Sequence, residues 1–181
     1  MTSFLFRLSP IFALLTLLGC TPLAPNEPAC RMSPTLETEI DAHHAQEIAT
    51  AKGAACIIKS QEKVVLIRHR LTGKLDFPGG GFSDDNSTAC TAHRETWEET
   101  GFNVSVETYL AKTNNGLLLF GCDLDAGIDT LPDVFEPPPW ATIEVSAIEK
   151  VDPFLIDHQD LRFKDDLILL RDSFISFDAK K

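Results

Sequence analysis

The sequence predicts an α/β fold in which a mixed β-sheet is packed between helices. Two short apolar runs, at residues 54–59 and 64–68, are typical of buried strands and flank a polar turn at residues 60–63. Further strands are predicted at residues 117–122 and 143–151. An acidic helix ends before Gly101, and residues 164–174 carry apolar side chains at helical spacing. The order strands, helix, strands, helix therefore predicts one mixed sheet covered on both faces.

The sequence also predicts the segments that connect these elements. Phe102, Val104 and Val106 alternate with polar residues, so the chain is expected to leave the acidic helix as a strand. The run Asn114-Asn115-Gly116 predicts a turn before the strand at 117–122. Residues 36–48 have the length and composition of a short helix. No internal repeat is present, and the residues from 51 onward suit a single domain.

The acidic helix carries three glutamates on one face. Glu95, Glu98 and Glu99 stand at i, i+3 and i+4, positions that are neighbours on a helix surface, roughly 5–6 Å apart between Cβ atoms. Like charges at this spacing repel one another unless a cation lies over them. Carboxylate oxygens are the ligands that Mg²⁺ and Mn²⁺ prefer. The pattern therefore predicts a divalent-metal platform, in contrast to a solvated acidic helix of the ordinary kind.

The ends and the opposite face of this helix agree with that interpretation. Asn86 or Ser87 is suited to cap its start, and Gly101 is suited to the left-handed conformation at its end. Small residues recur on the side away from the glutamates and are expected to face a core; they are Ala89, Ala92 and Thr96. Upstream, residues 78–81 read Pro-Gly-Gly-Gly, which predicts a tight turn where backbone approaches a ligand closely.

Residues 80–102 resemble the signature of the Nudix hydrolases, G-x5-E-x7-R-E-U-x-E-E-x-G-U, in which U is a bulky apolar residue. Six of the seven fixed positions match. Asn86 replaces the first glutamate, and Thr96 stands where a bulky apolar residue is usual. The matching residues are Gly80, Arg94, Glu95, Glu98, Glu99 and Gly101, with Phe102 at the last apolar position. The looser resemblance extends over residues 51–175, and it implies the α/β/α sandwich of that family.

The resemblance implies metal-dependent hydrolysis of a diphosphate linked to another moiety, X. Glu95, Glu98 and Glu99 would be ligands of Mg²⁺ or Mn²⁺, and the Gly80 carbonyl would be a further one. Either Glu98 or Glu99 would also help to deprotonate the attacking water. Arg94 would orient Glu98, its i+4 neighbour, through a charge-assisted hydrogen bond.

The family often adds a carboxylate near a strand before the last helix, and Glu144 stands at a suitable position. An exposed strand glutamate without a metal role is the equal alternative for Glu144. Because Asn86 replaces the first glutamate of the signature, it is expected to reduce or alter metal binding without abolishing activity.

The amino-terminal residues resemble a bacterial lipoprotein signal. Residues 1–19 contain Arg7, a short apolar stretch at 11–18, and Gly19 directly before Cys20. The apolar stretch is too short to span a bilayer comfortably. Cys20 would become the lipid-modified first residue; an uncleaved N-terminal anchor is the alternative. Residues 20–50 are interpreted as a tether, because prolines interrupt the first half, and residues 51–181 as the Nudix domain. We therefore expect a periplasm-facing protein of the cell envelope. Because Thr21, and not Asp, follows the cysteine, the outer membrane is favoured where one exists.

Four cysteines remain after Cys20 is assigned to lipid attachment. In an exported protein these cysteines could form two disulfides with three possible connectivities, and the sequence does not choose among them. The four are Cys30, Cys56, Cys90 and Cys122. No C-x-x-C spacing occurs, which argues against zinc. Cys56 and Cys122 lie in apolar runs, so they are equally well explained as small buried side chains.

Residues 123–140 form an acidic, proline-rich segment of unusual length for a compact domain. We interpret it as a substrate-side loop in which Trp140 or Phe135 stacks on an aromatic ring. A surface excursion with Trp140 packed in the core is the alternative. Trp97, on the acidic helix, is expected to pack. The single histidines His69, His93 and His158 have no partner at ligand spacing and are not expected to be catalytic.

The charge of the chain excludes some partners and agrees with a metal-mediated reaction. With 27 acidic and 16 basic residues, the net charge is −11, and there is no basic stripe for nucleic acid. An acidic protein that binds an anionic diphosphate requires a cation between them. The sequence therefore predicts an exported, lipid-anchored, Mg²⁺- or Mn²⁺-dependent diphosphate hydrolase. The alternatives are a Nudix-shaped module that binds a nucleotide or diphosphate without cleaving it, a possibility raised by Asn86, and an envelope lipoprotein whose motif is a relic.

Overall fold

The computed structural model describes residues 23–83, 87–125 and 127–177 and confirms a mixed sheet with helices on both faces. The strand order is β5-β6-β1-β2-β8-β7, with β4 paired to β1 and β3 paired to β2. The central strands β1 and β6 are parallel, and the other strand pairs among the described residues are antiparallel. The eight strands are Gly53–Ser60, Lys63–His69, Leu75–Asp76, Gly79–Gly81, Ser105–Lys112, Leu117–Asp123, Val134–Phe135 and Val145–Val151, numbered β1 to β8 in that order.

Within the described residues, three α-helices cover the sheet. Helices α1, Leu36–Ala49, and α2, Thr88–Thr100, share one hydrophobic cluster with one face of the central strands. Helix α3, Asp166–Ser176, packs in a second cluster on the other face. Within β1 the two faces alternate, because Cys56 and Ile58 join the first cluster and Ala55 and Ile57 join the second. The central strands are therefore buried on both sides, as their continuous apolar runs predicted.

Helix α2 has the boundaries that its sequence predicts. Ser87 is the N-cap and accepts a hydrogen bond from the Cys90 backbone N–H at 3.2 Å. Gly101 ends the helix at φ 75°, in the left-handed region where glycine is favoured. The small residues predicted to face the core are buried, namely Ala89, Ala92 and Thr96. Asn86, the alternative cap, lies outside the described residues.

The Pro-Gly-Gly-Gly run is a strand and not the predicted tight turn. Gly79–Gly81 forms β4, which pairs antiparallel with the first residues of β1. The pairing requires glycine for steric reasons. A Cβ on Gly53 would lie 2.0 Å from the Gly80 oxygen, and a Cβ on Gly79 would lie 2.2 Å from the Cβ of Ala55. Sequence analysis missed this strand because glycine carries no apolar alternation to read.

The amino-terminal segment is more closely attached to the domain than the expected tether up to residue 50. Helix α1 confirms the predicted short helix, and its Leu36 and Ile40 are buried in the first cluster. Met32 forms a parallel bridge with Val106 of β5. Burial of two large apolar side chains, each worth about 1.5–3 kcal/mol, fixes this helix against the sheet.

The four remaining cysteines form two disulfides. Cys56 and Cys122 join the neighbouring strands β1 and β6 inside the first cluster. Cys30 and Cys90 join the amino-terminal segment to the first turn of α2. The structure thus selects one of the three connectivities that the sequence left open.

Two predicted strand boundaries were wrong. The strand at 143–151 begins only at Val145, because Ala141–Ile143 is a 3₁₀ helix and Glu144 adopts helical φ and ψ angles at its end. The strand expected from Phe102 begins at Ser105, and the alternation at 102–106 instead places Val104 and Val106 in the core. The predicted turn at 114–116 is confirmed, with Gly116 at φ 97°.

The part of the chain that the structure describes contains no helix long and apolar enough to cross a membrane.

Candidate active site

An acidic pocket of about 340 Å³ lies beside α2 and contains the glutamates that the sequence singled out. Three of them come from α2, and the fourth, Glu144, comes from the end of the 3₁₀ helix before β8. The remaining lining is largely apolar. The lining residues are Leu23, Ala24, Glu95, Glu98, Glu99, Trp140, Ala141, Ile143 and Glu144.

Arg94 organises this acidic face. Its Nη1 lies 2.8 Å from Oε1 of Glu95 and donates to Oε2 of Glu98 at 3.1 Å, while its Nη2 donates to the Gly81 carbonyl at 3.0 Å. The predicted contact between Arg94 and Glu98 is therefore confirmed. One guanidinium links two pocket carboxylates to the glycine strand β4, a fork geometry that a lysine cannot reproduce.

The two glutamates at the end of α2 differ in their exposure. The Glu98 side chain is 48% exposed, so water reaches it. Glu99 accepts a hydrogen bond from the Gly79 backbone N–H at 2.8 Å, which fixes it against β4. Burial raises the pKa of Glu99 well above its usual range, and the charges of Glu95, Asp76 and Glu144 raise this pKa further, against the lowering effect of the Gly79 N–H.

Gly80 lies between the acidic pocket and a second cavity. A Cβ at Gly80 would meet the Glu95 carboxylate at 2.4 Å, so the glutamate packs directly on this glycine. The Gly80 carbonyl lies against Gly53, and Gly80 lines a neighbouring cavity of about 210 Å³ together with Lys52, Asp76 and Arg162. In this conformation Gly80 therefore contributes to a different cavity from the four glutamates.

The long segment after β6 reaches the pocket through one of its two predicted aromatic residues. Trp140 lines the pocket and also packs against Trp97 of α2, with ring centroids 5.8 Å apart. Phe135 lies in β7 and packs against Phe102, with ring centroids 6.2 Å apart. Trp140 therefore packs as the alternative interpretation expected and also lines the pocket, and its stacking on a substrate ring stays a prediction, whereas Phe135 packs on Phe102. His93 is buried, and its Nε2 lies 3.0 Å from Oδ1 of Asn103.

The pocket fits a divalent cation by the chemistry of its donors. Four carboxylates line one cavity, and hard oxygen ligands of this kind suit Mg²⁺ or Mn²⁺. Within residues 23–83, 87–125 and 127–177, no three histidine, cysteine or acidic side chains are already arranged to hold a metal. Glu95 and Glu98 contact Arg94, so binding requires these carboxylates to turn toward the ion.

Sequence reasoning missed the apolar part of the site. Leu23 and Ala24 were assigned to the tether, and Ile143 was assigned to a strand, yet all three line the acidic pocket. No local pattern could have placed Leu23 there, because its position depends on a segment held by a distant disulfide. The lipid-attachment candidate Cys20 and the signature residue Asn86 lie outside the described residues.

Comparisons with known proteins agree with the motif and the topology. The NUDIX domain family model matches residues 49–133. A MutT-like protein from Streptomyces ambofaciens is 27% identical over 94 residues, which are 49% of this chain and 61% of that relative. The match therefore spans less than two thirds of the length of the relative.

Two solved structures share the fold at low sequence identity. An ADP-ribose pyrophosphatase from Streptococcus suis superposes with a TM-score of 0.55 and 17% identity over 70% of this chain and 95% of that one. A UDP-X diphosphatase superposes with a TM-score of 0.55 and 21% identity over 79% of this chain and 72% of that one. The signature on α2, the sheet topology and the match to the family model over residues 49–133 are all similar to those of the Nudix family.

Proposed function

We propose that this protein is an exported, lipid-anchored hydrolase that cleaves a diphosphate linked to another moiety, X, with Mg²⁺ or Mn²⁺ as cofactor. The observation that carries the proposal is the acidic pocket, in which a glutamate from outside the signature, Glu144, joins three from α2. Such a cluster would exclude an anionic substrate unless a cation lies between them. The fold is that of known diphosphate hydrolases, which supports the reaction class.

In this proposal the residues of the pocket have separate roles. Glu95, Glu98, Glu99 and Glu144 hold the cation, and the Gly80 carbonyl would join them only after turning away from Gly53 toward the pocket. A cation held there neutralises negative charge that develops on the phosphate oxygens. Arg94 keeps Glu98 and Glu95 oriented. Glu98 is the group that accepts the proton of the attacking water, because it is exposed whereas Glu99 is fixed on the Gly79 N–H.

The test is a substrate panel with the full-length protein, purified in mild detergent with its disulfides oxidised. The panel includes ADP-ribose, UDP-sugars, nucleoside triphosphates and isoprenoid diphosphates, each with Mg²⁺, with Mn²⁺ and with a chelator. We expect hydrolysis of at least one diphosphate derivative that the chelator abolishes. Release of phosphate that is unaffected by the chelator would contradict the mechanism.

A binding module without catalysis is the second candidate, and two observations favour it. Asn86 replaces a glutamate of the signature, and Glu95 and Glu98 contact Arg94 in the described conformation. Calorimetry with ADP-ribose and Mg²⁺ separates the two candidates. Tight binding with no product after long incubation would select the module, whereas turnover would select the enzyme.

Export and lipid attachment are supported by two features of the chain. The lipoprotein-like signal ends at Cys20, and two disulfides are typical of proteins that fold in an oxidising compartment. We propose a location in the cell envelope, facing the periplasm, with the outer membrane favoured where one exists. Mass spectrometry of the native amino terminus tests this directly, because an unmodified Cys20 in membrane-extracted protein would contradict it.

A further inference from the structure

The amino-terminal segment 23–30 ends at the acidic pocket and is held to α2 at its other end. Leu23 and Ala24 line the pocket beside Glu98, and Cys30 is bonded to Cys90 in the first turn of α2. The segment therefore runs beside α2 from the start of the helix to its acidic face. It has no helix or strand, and Pro25 and Pro28 exclude a regular helix. We call residues 23–30 the strap.

The strap adds an apolar surface to a pocket that is acidic on its other side. Leu23 is 94% exposed at the pocket, and Ile143, which also lines it, is 64% exposed. Trp140 and Ala141 continue this surface inside the pocket. Exposed large apolar side chains that converge on a pocket lose contact with water when a ligand covers them, which favours the binding of an apolar ligand.

We propose that the strap, fastened by the Cys30–Cys90 disulfide, positions Leu23 as a wall that binds the X moiety and selects diphosphates whose X moiety is apolar. This inference rests on the proposed function, because it assigns the acidic side of the pocket to the diphosphate and its cation. The apolar side then remains for X. A pocket of about 340 Å³ has room for a diphosphate with a short aliphatic or aromatic group beside it.

The disulfide is one of several contacts that hold the base of the strap, because the Arg31 carbonyl accepts a hydrogen bond from the Val106 N–H at 2.9 Å and Arg31 is paired with Asp125 at 2.8 Å. Within the strap, Leu23 and Ala24 are exposed, so burial in the core does not hold this end in place. The covalent bond at Cys30 limits the reach of the other end. Leu23 lies seven residues before Cys30, a length that spans at most ~25 Å when extended, so the contacts at Cys30 and Arg31 keep Leu23 within that distance of the start of α2. Shortening Leu23 should therefore change substrate preference more than breaking the disulfide does.

The test compares methyl diphosphate with geranyl diphosphate, which share the reacting group and differ in the apolar surface of X. Four proteins are assayed with Mg²⁺: wild type, Leu23→Ala, the pair Cys30→Ser with Cys90→Ser, and Leu71→Ala. Leu71 is a matched control because it is 88% exposed and lies at the β2–β3 turn. We expect Leu23→Ala to raise KM for geranyl diphosphate about tenfold. The cysteine pair should raise this KM less, and both changes should leave kcat and the methyl substrate unchanged.

The same comparison is made without hydrolysis, which separates failure of this inference from failure of the proposed function. Calorimetry with the methylene-bridged analogues of the two diphosphates and Mg²⁺ measures affinity in the same four proteins. A tenfold loss of affinity for the geranyl analogue in Leu23→Ala, and not in Leu71→Ala, supports the strap even if no variant hydrolyses a diphosphate. Equal KM and equal affinity in wild type and Leu23→Ala overturn the strap while leaving hydrolysis intact. Leu23→Ala keeps the test valid if the cysteine variant fails to fold.

Discussion

Glu98 and Glu99 are adjacent in sequence but occupy different environments. Glu98 is exposed and oriented by Arg94, whereas Glu99 is buried against the Gly79 N–H. The sequence supplied the spacing that puts both on one helix face. It did not supply their exposure, because exposure depends on how β4 packs against α2, and a glycine strand has no pattern that reveals its position.

Replacing either glutamate tests the proposed chemistry. Glu98→Gln and Glu99→Gln each keep the shape of the side chain and remove its charge, so we expect kcat to fall by roughly 10²–10³-fold, as when one charge-stabilising group is removed from an active site. Glu62→Gln is the control, because Glu62 is exposed in the β1–β2 turn. Rates are measured at saturating Mg²⁺. Wild-type rates in both pocket variants would contradict the assignment of the site.

Asp166 provides a pH-dependent prediction away from the site. Burial at the start of α3, together with the charges of Asp76 and Asp165, raises the pKa of Asp166 from 3.8 to about 6. The folded protein thus binds this proton more tightly than the unfolded chain does, so folding loses stability as pH rises from about 4 to about 6. We expect Asp166→Asn to remove this loss, so that the variant becomes more stable than wild type as pH rises from about 4 to about 6.

Urea unfolding of Asp166→Asn between pH 4 and pH 8 measures this gain. The control is Asp172→Asn, because Asp172 is exposed on the same helix. A difference between Asp166→Asn and wild type that stays constant across this range would show that Asp166 has an ordinary pKa.

At the scale of elements, the strands with strong apolar patterns were predicted and the short ones were not. β1, β2 and β6 lie within one or two residues of their predicted bounds, because central strands carry continuous apolar runs. The two-residue strand β7 and the 3₁₀ helix Ile128–Thr130 were missed inside the segment at 123–140. Elements this short form through tertiary pairing, in this case with β8, and not through local periodicity.

Gly121 shows how closely β6 and the end of α3 approach each other. A Cβ at this position would lie 2.3 Å from Cδ2 of the Phe177 ring. We therefore expect Gly121→Ala to lower the free energy of unfolding by about 1–3 kcal/mol through overpacking. Gly81→Ala is the matched control, because its nearest neighbour would be the Lys52 oxygen at 3.9 Å. Equal stability of the two variants in urea would contradict this packing.

The two disulfides should differ in their access to reductants. Cys56 and Cys122 are buried in the core, whereas Cys30 is exposed. Thiol–disulfide exchange requires a thiolate to reach a sulfur atom, so a dithiol should reduce Cys30–Cys90 first. Alkylation at timed intervals followed by mass spectrometry gives the order. Simultaneous reduction of both pairs, at a dithiol concentration that leaves the circular dichroism native, would contradict it.

At the scale of the whole molecule, a net charge of −11 and a four-glutamate pocket lead us to predict that bound cations stabilise the fold. Any ion that binds the folded state alone stabilises it by mass action, about 2.7 kcal/mol at one hundred times Kd. We expect Mn²⁺ to raise Tm in a saturable manner. The variant with Glu95→Gln, Glu98→Gln and Glu99→Gln should lose this response.

General screening of the negative charge must be separated from specific binding. Potassium chloride at matched ionic strength serves as the reference, because it reduces repulsion between carboxylates without occupying the pocket. A Tm that rises equally with K⁺ and Mn²⁺, in wild type and variant alike, would remove the support for a metal site.

The position of Leu23 has a consequence for where turnover takes place. Leu23 lies at the pocket and only three residues after Cys20. Three residues of chain span at most ~11 Å. An acyl group on Cys20 would therefore keep the opening of the pocket close to the lipid headgroups of the bilayer. Amphiphiles that partition into the leaflet would then be encountered by lateral diffusion in two dimensions, at a local abundance that no dilute aqueous metabolite reaches.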